Sequence, residues 1–319
     1  MMLTVQKFGG SSLADAQRLR RAADIICSRA DRGDEVVVVV SARGDTTDEL
    51  IAQARSICAQ PPARELDALL GCGERSSAAL MAMQLAQLGR GCVSLSGAQA
   101  GIKTSGAHGG ARIENIDTHR CRAELSSGRI VIVAGFQGEN EAGDLTTLGR
   151  GGSDTTAVEL AAALGADRCE IYSDVDGVYT ADPRLVTGAV RHDEIDYADM
   201  LRLALGGSQV LHSRSVEAAK RTGVEPVLLS SFCDGGGTVL RRVQRRPAVC
   251  GVTRDKKLST VSIVGSKADA HILAEAVAVL AHSDILVTST ELLDGACTLS
   301  VAPDKLLPAL ELTHRRFFG

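Results

Sequence analysis

Several protein classes leave marks that this sequence lacks. Its nine cysteines stand singly at positions 27, 58, 72, 92, 121, 169, 233, 250 and 297, an odd number with no CxxC pair. That spacing supports neither a zinc site nor a disulfide framework. They read as reduced, mostly buried residues of a cytosolic protein. Neither sign of charge dominates: 35 Lys and Arg against 39 Asp and Glu leave a net charge of −4 at pH 7. Such a balance gives no overall attraction to nucleic acid or acidic lipid. No apolar run approaches the ~18 residues of a membrane span. The opening "MMLTVQKFGG" lacks the charged-then-apolar order of a signal segment. The familiar phosphate signatures are missing too: no GxxxxGK[ST], no GxGxxG, and no HRD or DFG set. The expected partner is a small molecule, the expected location the cytoplasm, with no nucleic acid and no membrane.

What the chain does have is alternation. Its 319 residues, 45% of them hydrophobic, suffice for one large domain plus a small one. "LTVQKF" (3–8) reads as a strand, followed by a helix through about residue 30 with Leu19, Ala22, Ala23, Ile26 and Cys27 on one stripe. "EVVVVVSA" (35–42) is a β-branched run, the mark of a strand buried on both faces. A helix is expected from about 76, carrying Leu80, Met83 and Leu88. "IVIVAGF" (130–136) and "CEIYSDV" (169–175) continue the strands, with the helix "TTAVELAAALG" between them ending at Gly165. The pattern predicts α/β architecture with a mostly parallel sheet between helical layers.

Composition shifts at "RRVQRRPAV" (241–249), where a short basic run is expected to be a solvated linker. Beyond it, "STVSIV" (259–264), a helix through Ala274 and Leu280, "ILVTST", "CTLSV" and a helix from Asp304 predict a compact βαββα unit. The expected organisation is a catalytic domain over 1–240, a linker over 241–250 and a small α+β domain over 251–319.

Chemistry concentrates at three strand exits. "KFGGSS" (7–12) puts Lys7, Gly9 and Gly10 between a strand and a helix. Bare backbone N–H groups at the positive end of a helix favour phosphate, although tight turns use glycine for backbone reasons alone. "GRGGSDTT" (149–156) repeats the arrangement, with Arg150 as a fixed charge and Ser153 or Asp154 as a helix cap. Two glycine and cation junctions in one α/β domain point to an anionic ligand. The third exit, "SDVDGVYTADPR" (173–184), supplies Ser173, Asp174, Tyr179 and Arg184, in a stretch that turn chemistry alone would also produce.

Together, "KFGGSS", "SARGDTTDEL", "GERSSAAL", "HGGARI", "VAGFQG", "TTLGRGGSDTTA" and "SDVDGVYTADPR" resemble aspartokinase, the amino acid kinase that phosphorylates the β-carboxylate of aspartate. The resemblance runs with few gaps from about residue 3 to 240. It implies the amino acid kinase fold with an ACT-like C-terminal domain, ATP and Mg²⁺ as cofactors, L-aspartate as substrate and a homodimer. It also implies roles. Lys7, Gly9 and Gly10 would line the transferring phosphate; Ser41, Thr47, Glu74, Phe136, Arg150, Ser153 and Asp154 would surround the amino acid and reaction centre. Lys7, Arg150 and Asp154 would be catalytic, while Ser173, Asp174, Tyr179 and Arg184 would hold ATP. Arg150 would grip the α-carboxylate and Glu74 the α-amino group.

Each assignment has a plainer reading beside it. Glu74 could complement a helix dipole, Phe136 could be core, Tyr179 could pack, Ser41 ends a buried strand, and Thr47 could cap a turn. His108 of "AHGGARI" is expected to pack or to stabilise a loop. Two departures from the family pattern stand out. Gln209 occupies a position where the family usually carries a lysine near the nucleotide, and residues 250–319 suffice for about one ACT module where aspartokinases have two. "GSKADAH" (265–271) also replaces the glycine–proline bend that frames an effector pocket, which puts feedback control in doubt. A kinase paralogue of a specialised pathway and a non-catalytic amino-acid-binding subunit are the competing readings.

Overall fold

The computed structural model describes residues 2–319. Its strands and helices run, in chain order, β1 (Leu3–Phe8), α1 (Ala16–Ala30), β2 (Glu35–Val40), α2 (Thr46–Ile57), α3 (Ala63–Gln87), β3 (Cys92–Leu95), β4 (Ile102–Ser105), β5 (Arg112–Ile116) and α4 (His119–Ser126). Next come β6 (Ile130–Ala134), β7 (Gln137–Glu139), β8 (Leu145–Thr147), α5 (Gly152–Leu164), β9 (Arg168–Ser173), β10 (Glu194–Asp196), α6 (Tyr197–Leu205), α7 (Ser213–Thr222), β11 (Pro226–Ser230) and β12 (Thr238–Arg241). The chain ends with β13 (Gly251–Asp255), β14 (Thr260–Val264), α8 (Ala270–Ala281), β15 (Val287–Leu293), β16 (Ala296–Val301) and α9 (Leu306–Phe318). These elements form two compact units of discontinuous sequence, 1–176 with 218–235, and 177–217 with 236–319. No described helix is long and apolar enough to cross a membrane.

In the first unit the strands β11-β9-β1-β2-β6-β3 lie side by side, and each neighbouring pair is parallel. Parallel strands covered on both faces are apolar along most of their length. Accordingly, Val36 to Val40 of β2 and Ile130 to Ala134 of β6 are all buried. On one face Leu19, Ala22, Ala23 and Ile26 of α1 pack with Ala78, Met81 and Leu85 of α3 over Phe8, Val38 and Ile132. Helix α1 starts where the Asp15 side chain accepts the Arg18 N–H at 2.8 Å. A separate small sheet, β5-β4-β7-β8, was not foreseen; its strands are only 3–5 residues long.

Helix α3 departs from expectation by starting at Ala63 rather than near 76. Gly71 and Gly73 hide it, because glycine weakens helix propensity. Both are there for space: a Cβ on Gly71 would lie 2.6 Å from Leu145 Cδ1, and one on Gly73 2.9 Å from Ala42 Cβ. The buried stripe runs through Met81 and Leu85, and Met83, one of the apolar residues that marked the helix in the sequence, is exposed.

In the second unit β10 and β12 pair in parallel, and an antiparallel sheet has the order β13-β14-β16-β15 with α8 and α9 packed on it. The expected βαββα pattern is present with one more strand ahead of it, β13. Ala181 and Val186 lie in the same core as Val252, Ile263, Leu299 and Leu310, and Val252 N–H donates to Thr180 O at 2.7 Å.

Candidate active site

The first unit's parallel strands deliver their C-terminal ends to one edge, where open α/β sheets bind ligands. At the end of β1, Lys7 is buried, and its Nζ lies 2.6 Å from Asp154 Oδ1 in the first turn of α5. The chain then turns through Gly9 and Gly10. Gly9 N–H donates to Tyr172 O of β9 at 3.1 Å, and a Cβ there would stand 3.4 Å from Lys7 Nζ. Gly10 is wedged against the exit of β2: a Cβ would meet Ala42 O at 2.6 Å, and Gly10 O accepts Gly44 N–H at 3.0 Å. The turn opens not directly into an α-helix, as the sequence suggested, but into a short 3₁₀ turn, Gly10–Leu13. α1 begins only after the Asp15 cap.

The exit of β2 meets α3. Ser41 N–H donates to Phe8 O at 3.1 Å, and Ala42 N–H donates to Glu74 Oε1 at 3.1 Å. Glu74 is 3% exposed and its Oε2 has no hydrogen-bond partner among the described residues. Burial pushes its carboxyl up to about 7, against the smaller opposing pull of the Ala42 N–H. A buried carboxylate with an orphaned oxygen is set to receive a donor.

The exit of β6 meets the start of α5. Phe136 holds a left-handed backbone, φ 67°, costly for a bulky residue. Its N–H donates to Thr156 Oγ1 at 3.1 Å and its carbonyl accepts Leu148 N–H at 2.8 Å. Its ring fills the space beside Gly152, where a Cβ would stand 2.8 Å from Phe136 Cδ2. Ser153 packs against Gly135 in the same way. α5 is capped by Gly151, φ 70°, and not by Ser153 or Asp154, with no side-chain capping bond. Gly152 N–H donates to Gly149 O at 3.0 Å, which leaves the next N–H groups of the first turn for a ligand.

Lys7, Gly9, Gly10, Ser41, Glu74, Phe136, Ser153 and Asp154 are thus joined by consecutive contacts. Arg150 is exposed and Thr47 half-buried in the first turn of α2. No hydrogen bond or ion pair among the described residues ties either of them to Lys7 and Asp154. A cleft of about 390 Å³ borders the same β2 exit, lined by Arg43, Thr46, Glu49, Gly73 and Ser77, and none of the expected site residues lines it. Ser173 ends β9, its hydroxyl engaged with the backbone of Val175, and Asp174 is exposed. Tyr179 and Arg184 belong to the second unit. There Arg184 forks onto Asp182 at 3.0 and 2.9 Å, which holds the Asp182 carboxyl below its ordinary range. Gln209 is exposed in that unit.

Sequence reasoning overlooked Asp67. This α3 carboxylate is 1% exposed and collects donors from His108, Gly109 and Thr147. Its spacing of seven from Glu74, two helical turns, was the available signal. His108 does stabilise a loop, as expected, through Asp67.

A glycine turn, a buried lysine–carboxylate pair and an open helix N-terminus meet at one sheet edge of an α/β protein, an arrangement suited to an anion. The model of the amino acid kinase family matches residues 2–230, and the chain belongs to that family. Aspartokinase of Mycobacterium tuberculosis is 50% identical over 271 residues, covering 83% of this chain and 64% of the relative. Aspartokinase of Geobacillus stearothermophilus is 49% identical over 268 residues, covering 83% of this chain and 66% of the relative. The chain therefore spans just under two thirds of the length of these relatives. Among solved structures, Escherichia coli aspartokinase III in complex with aspartate and ADP superposes with a TM-score of 0.73 at 26% identity, over 97% of this chain and 83% of that one.

Proposed function

We propose that the protein transfers the γ-phosphoryl group of ATP to the β-carboxylate of L-aspartate, giving 4-phospho-L-aspartate, the first step of aspartate-family amino acid biosynthesis. The observation that carries this reading is the buried Lys7 Nζ, 2.6 Å from Asp154 Oδ1 and beside the Gly9 turn. The aspartokinase relatives supply the acceptor.

The acceptor needs no general base, because a side-chain carboxylate of reference pKa ~3.9 is already ionised at neutral pH. The protein has only to align it and to neutralise charge on the transferring group. Lys7 would face that group, fixed in place by Asp154 and by the glycine turn that admits the phosphate to bare backbone. Arg150, with no competing ion pair among the described residues, would fork onto the α-carboxylate. Glu74 Oε2 would receive the α-ammonium, and Ser41, Thr47, Phe136 and Ser153 would line the pocket. Ser173 and Asp174 at the end of β9, with Tyr179 and Arg184 assigned by resemblance, would hold the nucleotide.

No group of three or more metal-ligating side chains occurs among the described residues. Mg²⁺ would arrive on the triphosphate with its own waters and at most one or two protein carboxylates; Asp154, a partly exposed carboxylate in the first turn of α5, is the candidate. Bound there, the ion would offset negative charge on the phosphate oxygens. We further propose a cytoplasmic homodimer, an ACT-like role for residues 251–319 and a catalytic domain over 1–240.

The test is direct. With ATP, Mg²⁺ and aspartate, trapping by hydroxylamine is expected to give the aspartyl hydroxamate. Aspartate binding without hydroxamate would make the chain a non-catalytic amino-acid-binding subunit.

A further inference from the structure

Asp67 sits two turns ahead of Glu74 on the same face of α3, and it is almost completely buried. Oδ2 accepts His108 Nδ1 at 3.0 Å and Thr147 N–H at 2.9 Å, while Oδ1 accepts Thr147 Oγ1 at 2.5 Å and Gly109 N–H at 3.1 Å. Every neighbour is a donor. Only an ionised carboxylate offers acceptors alone, on two oxygens; an amide would turn an NH₂ group toward one of these N–H donors. The arrangement therefore selects aspartate at this position for a reason beyond filling space.

What it holds is the root of the Arg150 segment. Thr147 is the last residue of β8, pinned on one side by Asp67 and on the other by Ala111 N–H, which donates to Thr147 O at 2.9 Å. Arg150 follows three residues later between Gly149 and Gly151, whose φ angles are 75° and 70°. No side chain on either flank steers it, and Arg150 itself has no hydrogen bond or ion pair among the described residues. Its placement depends on the Gly152 N–H bond to Gly149 O at 3.0 Å and on the anchors at the two ends of the segment: α5 after it, and before it the Leu148–Phe136 backbone bond with Thr147, which also pairs with Gln137 of β7.

We infer that Asp67 is a positioning residue for the amino-acid substrate: through Thr147 it fixes the segment that carries Arg150, on the same rigid helix that carries Glu74. The inference rests on the aspartate kinase reading, in which Arg150 and Glu74 meet the two ends of the amino acid's backbone. It gives α3 a second task, to keep the carboxylate clamp and the ammonium site in one register.

The experiment compares Asp67→Asn, Thr147→Val and Thr147→Ser in the full chain, by hydroxamate kinetics and by calorimetric titration with aspartate. Misplacement of a clamp by about an ångström can cost ~10²-fold, so Asp67→Asn is expected to raise the aspartate KM and Kd about 10- to 100-fold. KM for ATP is expected to stay within about twofold, because an interaction with the other substrate is untouched. Thr147→Val, which keeps the shape and loses the hydroxyl donor, should weaken aspartate in the same direction, and Thr147→Ser should restore most of the affinity. Equal rises in both KM values, or a fall in melting temperature with both unchanged, would reduce Asp67 to a structural part and overturn the inference. A wild-type protein that binds aspartate without turnover still reports through calorimetry. One that binds no aspartate overturns the functional reading as well.

Discussion

Glu74 Oε1 accepts the Ala42 N–H at 3.1 Å while Oε2, equally enclosed, meets no donor. The carboxyl therefore carries an unrecovered cost of burial until a cation arrives. With its folded pKa near 7 and its unfolded value near 4.5, the native state binds this proton more tightly than the unfolded chain. The group is neutral and harmless at low pH; stability is lost as pH rises from about 4.5 through 7 and then levels off. Glu74→Gln is expected to be more stable than wild type at pH 8 by roughly 1–3 kcal/mol, at ~1.4 kcal/mol per pKa unit, and about equal at pH 4.5. Melting curves at the two pH values check this. The same variant should bind aspartate more weakly, and wild-type aspartate KM should rise as pH falls below 7.

Lys7 and Asp154 form a mostly buried pair, so Lys7→Ala should lower kcat by ~10²–10³, the usual effect of removing one charge-stabilising donor. Lys7→Arg should not restore it, since a planar fork does not replace a point charge. Hydroxamate rates at saturating substrates measure both, and retained turnover in Lys7→Ala would refute the role given to the lysine.

The two glycines of the phosphate turn should separate folding from function. Gly10→Ala drives a methyl to 2.6 Å from the Ala42 carbonyl, which has to move; overpacking of this kind costs about 1–3 kcal/mol. Gly9→Ala meets only the tip of Lys7 at 3.4 Å and Tyr172 O at 3.7 Å. It should keep the melting temperature and lose turnover, because the methyl occupies phosphate space.

In the second unit, burial lowers the pKa of both His192 and His314. His314 is enclosed between the Thr180 hydroxyl, 2.9 Å from Nε2, and the Phe318 ring. The unfolded chain protonates first, so their stabilising effect is complete above about 6.5 and is lost as pH falls below it. His314→Gln should flatten the drop in melting temperature between pH 7 and 5. An unchanged slope would remove this histidine from the acid response.

The long parallel core was legible because its signal is local. "EVVVVVSA" was expected at 35–42 and forms Glu35–Val40, since its five valines are all buried and their character shows it. "LTVQKF" was expected at 3–8 and forms Leu3–Phe8 although Thr4, Gln6 and Lys7 among its buried residues are polar. α3 was legible only in its second half, because the glycines that let Leu145 and Ala42 approach also erase the helical pattern. The small sheet escaped because 3–5-residue strands carry too few positions to show a period. Within the candidate site, the glycine turns advertised themselves, while Asp67 did not: its donors lie 41 to 80 residues away. Nothing near it in sequence indicates that Thr147 and His108 will converge there.

The sharing of one core by Ala181, Val186 and the strands beyond Gly251 bears on protein engineering. A tail grafted from a relative by cutting at the arginine-rich stretch would arrive without the 177–189 segment that its own apolar face was shaped against. Chimaeras joined there would expose mismatched surfaces and precipitate, whereas exchanges that carry both stretches together should remain tractable.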